Sequence, residues 1–518
     1  MTKRSALLSG AALALLASPA FALTADEVWQ NQTGYLTSLG FSVEATPLRD
    51  GATTVMSDVR MVWPVPMGFG TVTITSPDVT MVENGDGSVA VSYPDKFRLS
   101  IVAELQVEGD RGKLTADFGM RMEGQSLTVT GTPESMTYAS QTALMDIVLD
   151  RILFTDDSSG TTEQPEVDVI FTIRDLVTDT TIANDGQAHT LRTTNTTGQS
   201  IFELSFEDGW GLVSTTVGSV DTSSSESTLV IPVAPVDWLN LSPALRDGLS
   251  ISVATSVANS RQQTVSLLDG QISSDQSQTV ARSAQTLTLS AAGLAADGTV
   301  EGLDVTIAQD AFMPAPITLT AATATGSFAM PVLASPDAQR AGFGFSVDGL
   351  SASDDIWGLF DPGATLPRDP ASLSLGIEAQ VINRVDVFDF LGWEAVISKI
   401  DAGQMPVDLV SLDITALDVS AIGAALTGEG SFTFDSTDLT TFPGFPRPEG
   451  QATAQMSGLY GVLDTLSQMG LLPPEAGMGA RAAIGMFAQA TGEDQLTSTL
   501  VIAPDGTITV NGAPIPFP

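Results

Sequence analysis

The 518-residue sequence contains no cysteine and one histidine, and charged residues make up only 16% of it. Without thiols the chain cannot form disulfides, thiolate zinc sites or iron–sulfur clusters, and it cannot carry a lipid on an N-terminal cysteine. A single histidine excludes a multi-histidine metal site. Hydrophobic residues make up 43% of the chain, which is enough for a core, so we do not expect global disorder.

Basic side chains are also scarce. The chain has 21 Lys and Arg against 61 Asp and Glu, a net charge of −40. Phosphate binding requires clustered basic residues, so nucleic acid is excluded as a partner and adsorption to anionic lipid headgroups is disfavoured. Serine and threonine take the place of charge on the solvent-facing positions of the predicted strands. The length predicts two or three domains.

The amino terminus is typical of a secretory signal peptide. Lys3 and Arg4 precede an apolar run over residues 6–17, and Ala20-Phe21-Ala22 places small residues at the cleavage positions. We therefore expect export to the periplasm and cleavage after Ala22, which leaves 19 basic against 61 acidic residues, or −42. The alternative is an uncleaved anchor, but the run is shorter than the about 20 residues that span a bilayer. No later run is long enough, so we expect no integral membrane protein.

The mature chain is predicted to open with a helix and continue as strands. Thr24 and Glu27 form a capping-box pattern that begins a helix over residues 25–39, which we expect to pack on a sheet through Trp29 and Leu36. From residue 41 onward apolar and Ser/Thr residues alternate in short runs separated by Gly, Asp, Asn and Pro. Successive strands without intervening helices indicate antiparallel pairing.

The predicted fold class is mainly β with a few helices. We expect a large, curved antiparallel sheet, as an open groove or a sandwich, with short amphipathic helices at its ends. The predicted division is a signal peptide (1–22), a β-rich domain (23–235), a middle β segment (236–340) and an α+β region (341–518). Further predictions are a loop or boundary at 219–227, an irregular helical segment at 236–249, helices at 385–400, 455–469 and 474–488, and a terminal hairpin at 498–502 and 507–510.

Catalytic and metal-binding patterns are weak throughout. His189 lies between polar residues, and we expect a solvated side chain in a surface turn. Carboxylates near tryptophans leave a two-carboxylate glycosidase open. These candidates are Asp354, Asp355, Asp361, Asp386 and Asp389, near Trp357 and Trp393. The oxygen-rich turns 83–87 and 156–160 lack the spacing of known calcium loops. We assign no catalytic, cofactor-binding or metal-binding residue.

Several motifs resemble the alphaproteobacterial family called domain of unknown function 2125. They are GTPESMTY (131–138), DIWGLFDP (355–362), LPRDP (366–370), LTGEGSFTF (426–434), FPRP (445–448), MGAR (478–481) and GTITVNG (506–512). The resemblance implies export to the periplasm and supplies no catalytic residue. The chain is also similar in architecture to AsmA-like envelope proteins, which implies an open, curled sheet with an apolar concave face.

Three functional hypotheses follow. The first is a non-catalytic periplasmic protein that binds or shields a lipid or another apolar ligand in maintenance of the cell envelope. The second is a structural or interaction protein with a closed β core and an unknown protein partner. The third is a carboxylate-dependent hydrolase, although the residue inventory favours a protein that is not an enzyme.

Overall fold

The computed structural model describes residues 22–107, 110–156, 159–309 and 315–515. The signal-peptide assignment concerns residues 1–21, which lie outside the described residues, so it stays a prediction. The fold is mainly β, with 64% strand and 13% helix, and the strands form a single large antiparallel sheet. The predicted fold class is confirmed.

The described residues contain six α-helices and one 3₁₀ turn. The helices are α1 (Ala25–Ser38), α2 (Ser242–Arg246), α3 (Asp354–Phe360), α4 (Trp393–Asp401), α5 (Leu459–Gln468) and α6 (Pro474–Phe487), and the 3₁₀ turn is Pro66–Gly68.

The strands of the first half are β1 (Ser42–Asp50), β2 (Thr53–Val65), β3 (Gly70–Thr75), β4 (Val79–Glu83), β5 (Val89–Ser92), β6 (Lys96–Val107), β7 (Asp110–Glu123), β8 (Ser126–Thr132), β9 (Ser135–Asp156), β10 (Thr161–Glu163), β11 (Glu166–Asn184), β12 (Ala188–Thr197), β13 (Ser200–Glu207) and β14 (Leu212–Pro232). The strands of the second half are β15 (Ser250–Leu268), β16 (Gln271–Ser290), β17 (Gly293–Ala308), β18 (Ile317–Met330), β19 (Gln339–Ala352), β20 (Ala371–Asn383), β21 (Val407–Ala421), β22 (Ala424–Asp435), β23 (Arg447–Ser457), β24 (Gln489–Gly492), β25 (Gln495–Ile502), β26 (Ile508–Val510) and β27 (Ala513–Ile515).

The second half of the sheet is a simple meander. From β14 to β23 each strand pairs with the next in the chain, and β25, β26 and β27 continue the order. In the first half three strands each pair with two others along their length: β2 pairs with β3 and β4, β9 with β7 and β8, and β11 with β12 and β13. In the described pairings four strands have a single partner: β1 pairs only with β2, β10 with β9, β24 with β25 and β27 with β26.

A row of left-handed residues crosses the sheet in mid-strand. Asn259, Gly302 and Gly349 all have positive φ, and the pairings place them in one row with Ala281 and Ala322 between them. Small residues are needed here because a Cβ on Gly302 would lie 2.9 Å from the Cβ of Ala281. In β17 the apolar residues that share a face have even residue numbers before this row and odd residue numbers after it. They are Leu294, Ala296 and Val300, then Leu303, Val305 and Ile307. We infer that the left-handed Gly302 resets the two-residue alternation, so the apolar residues on both sides of it lie on one face of the sheet.

Bulges in the pairing of β20 with β21 also keep apolar residues on one face of the sheet. The apolar residues of β21 do not alternate strictly, but the pairing with β20 shifts by one residue at Gly376/Ile377 and again at Gln380/Val381. With these shifts the apolar residues of β21 lie opposite odd-numbered residues of β20. Val407, Leu409, Leu412, Ile414, Leu417 and Val419 pair with Asn383, Val381, Ala379, Ile377, Leu375 and Leu373. Residues paired directly across two strands share a face, so the bulges collect this apolar set on one side.

Helix α1 begins as its sequence predicts. The Thr24 hydroxyl accepts a hydrogen bond from the Glu27 N–H, and the Glu27 carboxylate accepts one from the Thr24 N–H, so the capping box is confirmed. The helix docks on the sheet through Val28, which is fully buried. Trp29 packs at the edge of this contact, whereas Leu36, the other predicted anchor, is only half-buried.

Several predicted boundaries are wrong. Residues 219–227 are not a loop, because they lie within β14, where serine and threonine side chains bond across to β12: the Asn195 amide donates to the Ser225 hydroxyl. The helix predicted at 385–400 begins only at Trp393, and the one at 455–469 begins at Leu459 because its first residues belong to β23. Helix α6 ends at Phe487, one residue before the predicted end, and β24 follows it. Helix α3 has no counterpart among the predicted helices.

The proposed segment boundaries at 235/236 and 340/341 stay predictions. The ladder of hydrogen bonds continues through both, since β14 pairs with β15 and β19 begins at Gln339. The predicted helical segment at 236–249 contains only the short helix α2. The terminal hairpin is present, formed by β25 and β26.

Candidate apolar binding face

One row of apolar residues runs across the second half of the sheet, strand by strand. Each member lies directly opposite the next, so all side chains point to the same face. The row consists of Val253, Leu287, Ala296, Phe328, Phe343, Ile377 and Ile414. We call the side of the sheet that carries this row the apolar face.

The middle of the apolar face is not covered by protein. Leu287 is 45% exposed, and the two phenylalanines Phe328 and Phe343 are 41% and 51% exposed. These residues, with Phe345 and Val253, line a cavity of about 580 Å³. Large apolar side chains that stay exposed in a contiguous group mark interaction sites, whereas single exposed apolar residues need no explanation.

Glycines enlarge this middle cavity. Gly298 and Gly326 face each other in β17 and β18, two positions from Ala296 and Phe328 on the same face. A Cβ on Gly326 would meet nothing within 4 Å. The absent side chains leave open space beside the phenylalanine rings, so the face has a depression and not a flat apolar surface.

Helix α1 covers the same face at its first end. The row continues from Val253 toward the amino terminus through directly paired residues of the neighbouring strands, and it reaches Tyr138 and Val129. Val129 is fully buried in one cluster with Val28 of α1. The Tyr138 hydroxyl donates to the Asn31 side chain at 2.9 Å, and the Asn31 amide donates to the Ile182 carbonyl. Burial raises the pKa of Tyr138, so it stays protonated and can donate this bond.

The opposite end of the face is roofed by α4. Here the start of β21 and the end of β22 lie beneath α4 and the loop 436–446, around a cavity of about 800 Å³. Leu409 belongs to the apolar face, and Phe434 continues it on β22. We call this space the roofed cavity.

His189 is buried, which corrects the prediction of a solvated side chain. It is 8% exposed, lies in β12 opposite Ile231, and its ring approaches Gly34 of α1. The polar residues before it do form a turn, but the strand begins at Ala188 and α1 covers it, which local sequence does not reveal. Burial lowers the pKa of His189 and the charge of Asp185 opposes this shift, so His189 is neutral at pH 7.

Four of the five acidic candidates make structural contacts, and Asp361 and Asp354 lie in one cluster. Asp361 is fully buried and accepts hydrogen bonds from the backbone N–H groups of Thr365 and Leu366, which hold its pKa below the usual value. Asp354 forms an ion pair with Arg368 at 2.7 Å, and the Arg368 guanidinium lies 5.3 Å from the Trp357 ring centre. These contacts fasten α3 to the turn that follows it.

The other three candidates lie apart from that cluster or at its exposed edge. Burial acts to raise the pKa of Asp386, but hydrogen bonds from Arg246 and the Ala334 N–H lower it below its usual value. Asp389 accepts a bond from the Gly392 N–H at the start of α4, and Asp355 is exposed. A glycosidase general acid needs a raised pKa, and neither Asp361 nor Asp386 has one.

The turn at residues 83–87 is explained by its own hydrogen bonds. The Asp86 carboxylate accepts from the Ser88 N–H and hydroxyl, which lowers the Asp86 pKa. Part of the turn 156–160, Asp157 and Ser158, lies outside the described residues. Within the described ranges no group of three or more His, Asp or Glu side chains could hold a metal ion.

No described helix has both the length and the hydropathy needed to cross a bilayer. No curated protein and no solved structure matches the chain, so the similarity to AsmA-like proteins stays a prediction. The family model described as "Uncharacterized protein conserved in bacteria (DUF2125)" matches residues 241–517. The matched segment includes β15 to β27, and so contains both the exposed middle of the apolar face and the roofed cavity. The chain therefore belongs to the DUF2125 family.

Proposed function

We propose that this protein binds the acyl chain of a lipid, or a similar apolar ligand, on the uncovered part of its apolar face, and that it does so in the periplasm without catalysing a reaction. The observation that carries the proposal is the contiguous exposure of Leu287, Phe328 and Phe343 around a depression. The signal-peptide pattern supports the location.

The expected binding chemistry is burial of apolar surface. Each methylene group removed from water contributes about 0.8 kcal/mol, so a chain of about ten methylenes offers enough gross free energy to offset the cost of association. Few polar groups would fix its orientation here, which is typical of a site that accepts chains of different length.

Native mass spectrometry and lipid extraction of the protein purified after periplasmic expression test this proposal. We expect a co-purifying lipid and saturable binding of a neutral fluorescent probe, methyl cis-parinarate. A wild-type protein that carries no lipid and does not bind this probe would refute it.

A double variant locates the site. Full burial of a phenylalanine contributes about 1.5–3 kcal/mol, and Phe328 and Phe343 are about half exposed, so a ligand that covers both gains about 2 kcal/mol. We expect Phe328→Ser with Phe343→Ser to weaken probe binding about 30-fold. The matched control is Trp210→Ser, which removes an aromatic that is 87% exposed in the turn before β14. Equal effects of the two changes would place the ligand elsewhere.

A further inference from the structure

The roofed cavity differs from the middle of the apolar face in shape and in charge. Its walls are apolar and come from three elements: Val396 and Ile400 from α4, Leu409 from β21 and Phe445 from the loop above. Its volume of about 800 Å³ lies in the range of small-molecule sites, about 300–1,000 Å³.

Two cations lie at this cavity, although the protein as a whole is strongly anionic. Arg384 donates from Nε and Nη2 to one oxygen of Asp408, at 2.9 and 2.6 Å, so its charge is compensated. Lys399, exposed on α4, has no acidic group within 4.0 Å in the part of the chain that the structure describes. The walls therefore carry one cationic group whose charge is not neutralised by an ion pair.

The middle cavity has no such group. Its only charged wall residue is Asp297, which lies between Ala296 and Gly298 in β17, so its side chain points to the opposite face, where the Thr286 hydroxyl donates to it. An amphiphile with an anionic head therefore meets no cationic group at the middle of the face and is attracted at the roofed end. The charge distribution therefore orients such a ligand, with its head group at α4 and its chain extending toward the phenylalanines.

The distance between the two cavities fits a single acyl chain. Leu409 lies opposite Val381 of β20, and Phe343 lies opposite Ile377, four residues further along that strand. Four residues along a strand and two strand spacings correspond to about 16 Å. One acyl layer of a bilayer fills about 15 Å, half of its hydrocarbon core.

We propose that the roofed cavity binds the head of a single-chain anionic amphiphile of the fatty-acid class, with its carboxylate beside Lys399 and its chain on the apolar face. This assignment rests on the proposed function for the acyl chain and adds the class of the head group and its position.

The test compares cis-parinaric acid with its neutral methyl ester at about pH 8, where the acid is ionised. We expect Lys399→Gln to weaken binding of the acid about fivefold and to leave binding of the ester unchanged. Lys399→Arg should retain binding of the acid, because it keeps the charge. The matched control is Lys96→Gln, which removes an exposed lysine from β6, far along the chain from α4.

The outcomes separate this inference from the proposed function. If the ester binds but Lys399→Gln binds the acid as tightly as the wild type, the position of the head group is wrong and the proposed function stands. The same conclusion follows if Lys96→Gln weakens acid binding as much as Lys399→Gln, because the effect is then one of net charge. If the wild type binds neither probe, both proposals fail.

Discussion

The docking of α1 on the sheet should depend on Val28. This side chain is fully buried between the helix and the cluster that contains Met81 and Val129. Val28→Ala removes two methyl groups, which costs about 1.6 kcal/mol of transfer free energy. The residual cavity adds a few tenths of a kcal/mol, so we expect a loss of about 2 kcal/mol in the local stability of α1.

Hydrogen exchange measured by mass spectrometry on peptides from Ala25–Ser38 reports this local stability. A loss of about 2 kcal/mol should speed the exchange of the protected α1 amides about 30-fold, while amides of β16 and β17 remain unchanged. The matched control is Thr37→Ala, an exposed position of the same helix, which should change exchange less than threefold. Equal exchange in both variants, or faster exchange throughout the sheet, would refute the assignment of Val28 as the anchor.

Three further predictions concern buried or strained positions. Asp361→Ala should lower the free energy of unfolding by about 2–4 kcal/mol, because the N–H groups of Thr365 and Leu366 lose their buried acceptor. Asp355→Ala should be nearly neutral in the same denaturant titration. Burial lowers the pKa of His189 below 6.5, because the folded state disfavours protonation of the ring. The contribution of the neutral ring to the free energy of unfolding is fully present above pH 6.5 and is lost as the pH falls toward the folded-state pKa. His189→Gln should therefore reduce the difference in urea midpoint between pH 7.5 and pH 5.5, and an unchanged difference would contradict this. Gly302→Val should destabilise the protein by more than about 2 kcal/mol because of its left-handed backbone, whereas Gly326→Ala should be tolerated in a thermal-unfolding comparison.

The local signals in the sequence predicted the local structure well. The Thr24–Glu27 capping box predicted the start of α1 because both partners lie within one helical turn. Alternation of apolar and polar residues predicted strands, and Gly- and Asp-containing turns predicted hairpins, because these patterns act over a few residues. The prediction of a loop or boundary at the Ser-rich segment 219–227 is wrong because this strand is stabilised by β12 and β15, which are distant in sequence.

The apolar face could be predicted only in part. Alternation indicated that one side of each strand is apolar, but the sequence does not show how strands align. The row from Val253 to Ile414 depends on the register of seven strands, and on left-handed residues and bulges that reset the alternation. The position of Lys399 at the cavity could not be predicted from the adjacent sequence, because it depends on where α4 packs.

The sequence alone determined the class of this protein: an acidic, cysteine-free, mainly antiparallel β chain without a recognisable catalytic motif. Composition and short-range periodicity are sufficient for this, because backbone preferences and turn chemistry act locally. Only the tertiary structure decided which apolar residues are covered. Val28 fills one end of the face, Phe328 and Phe343 remain open, and His189 is buried beneath a helix distant in sequence. Burial depends on contacts between segments far apart in the chain, and these form only when the whole sheet is assembled.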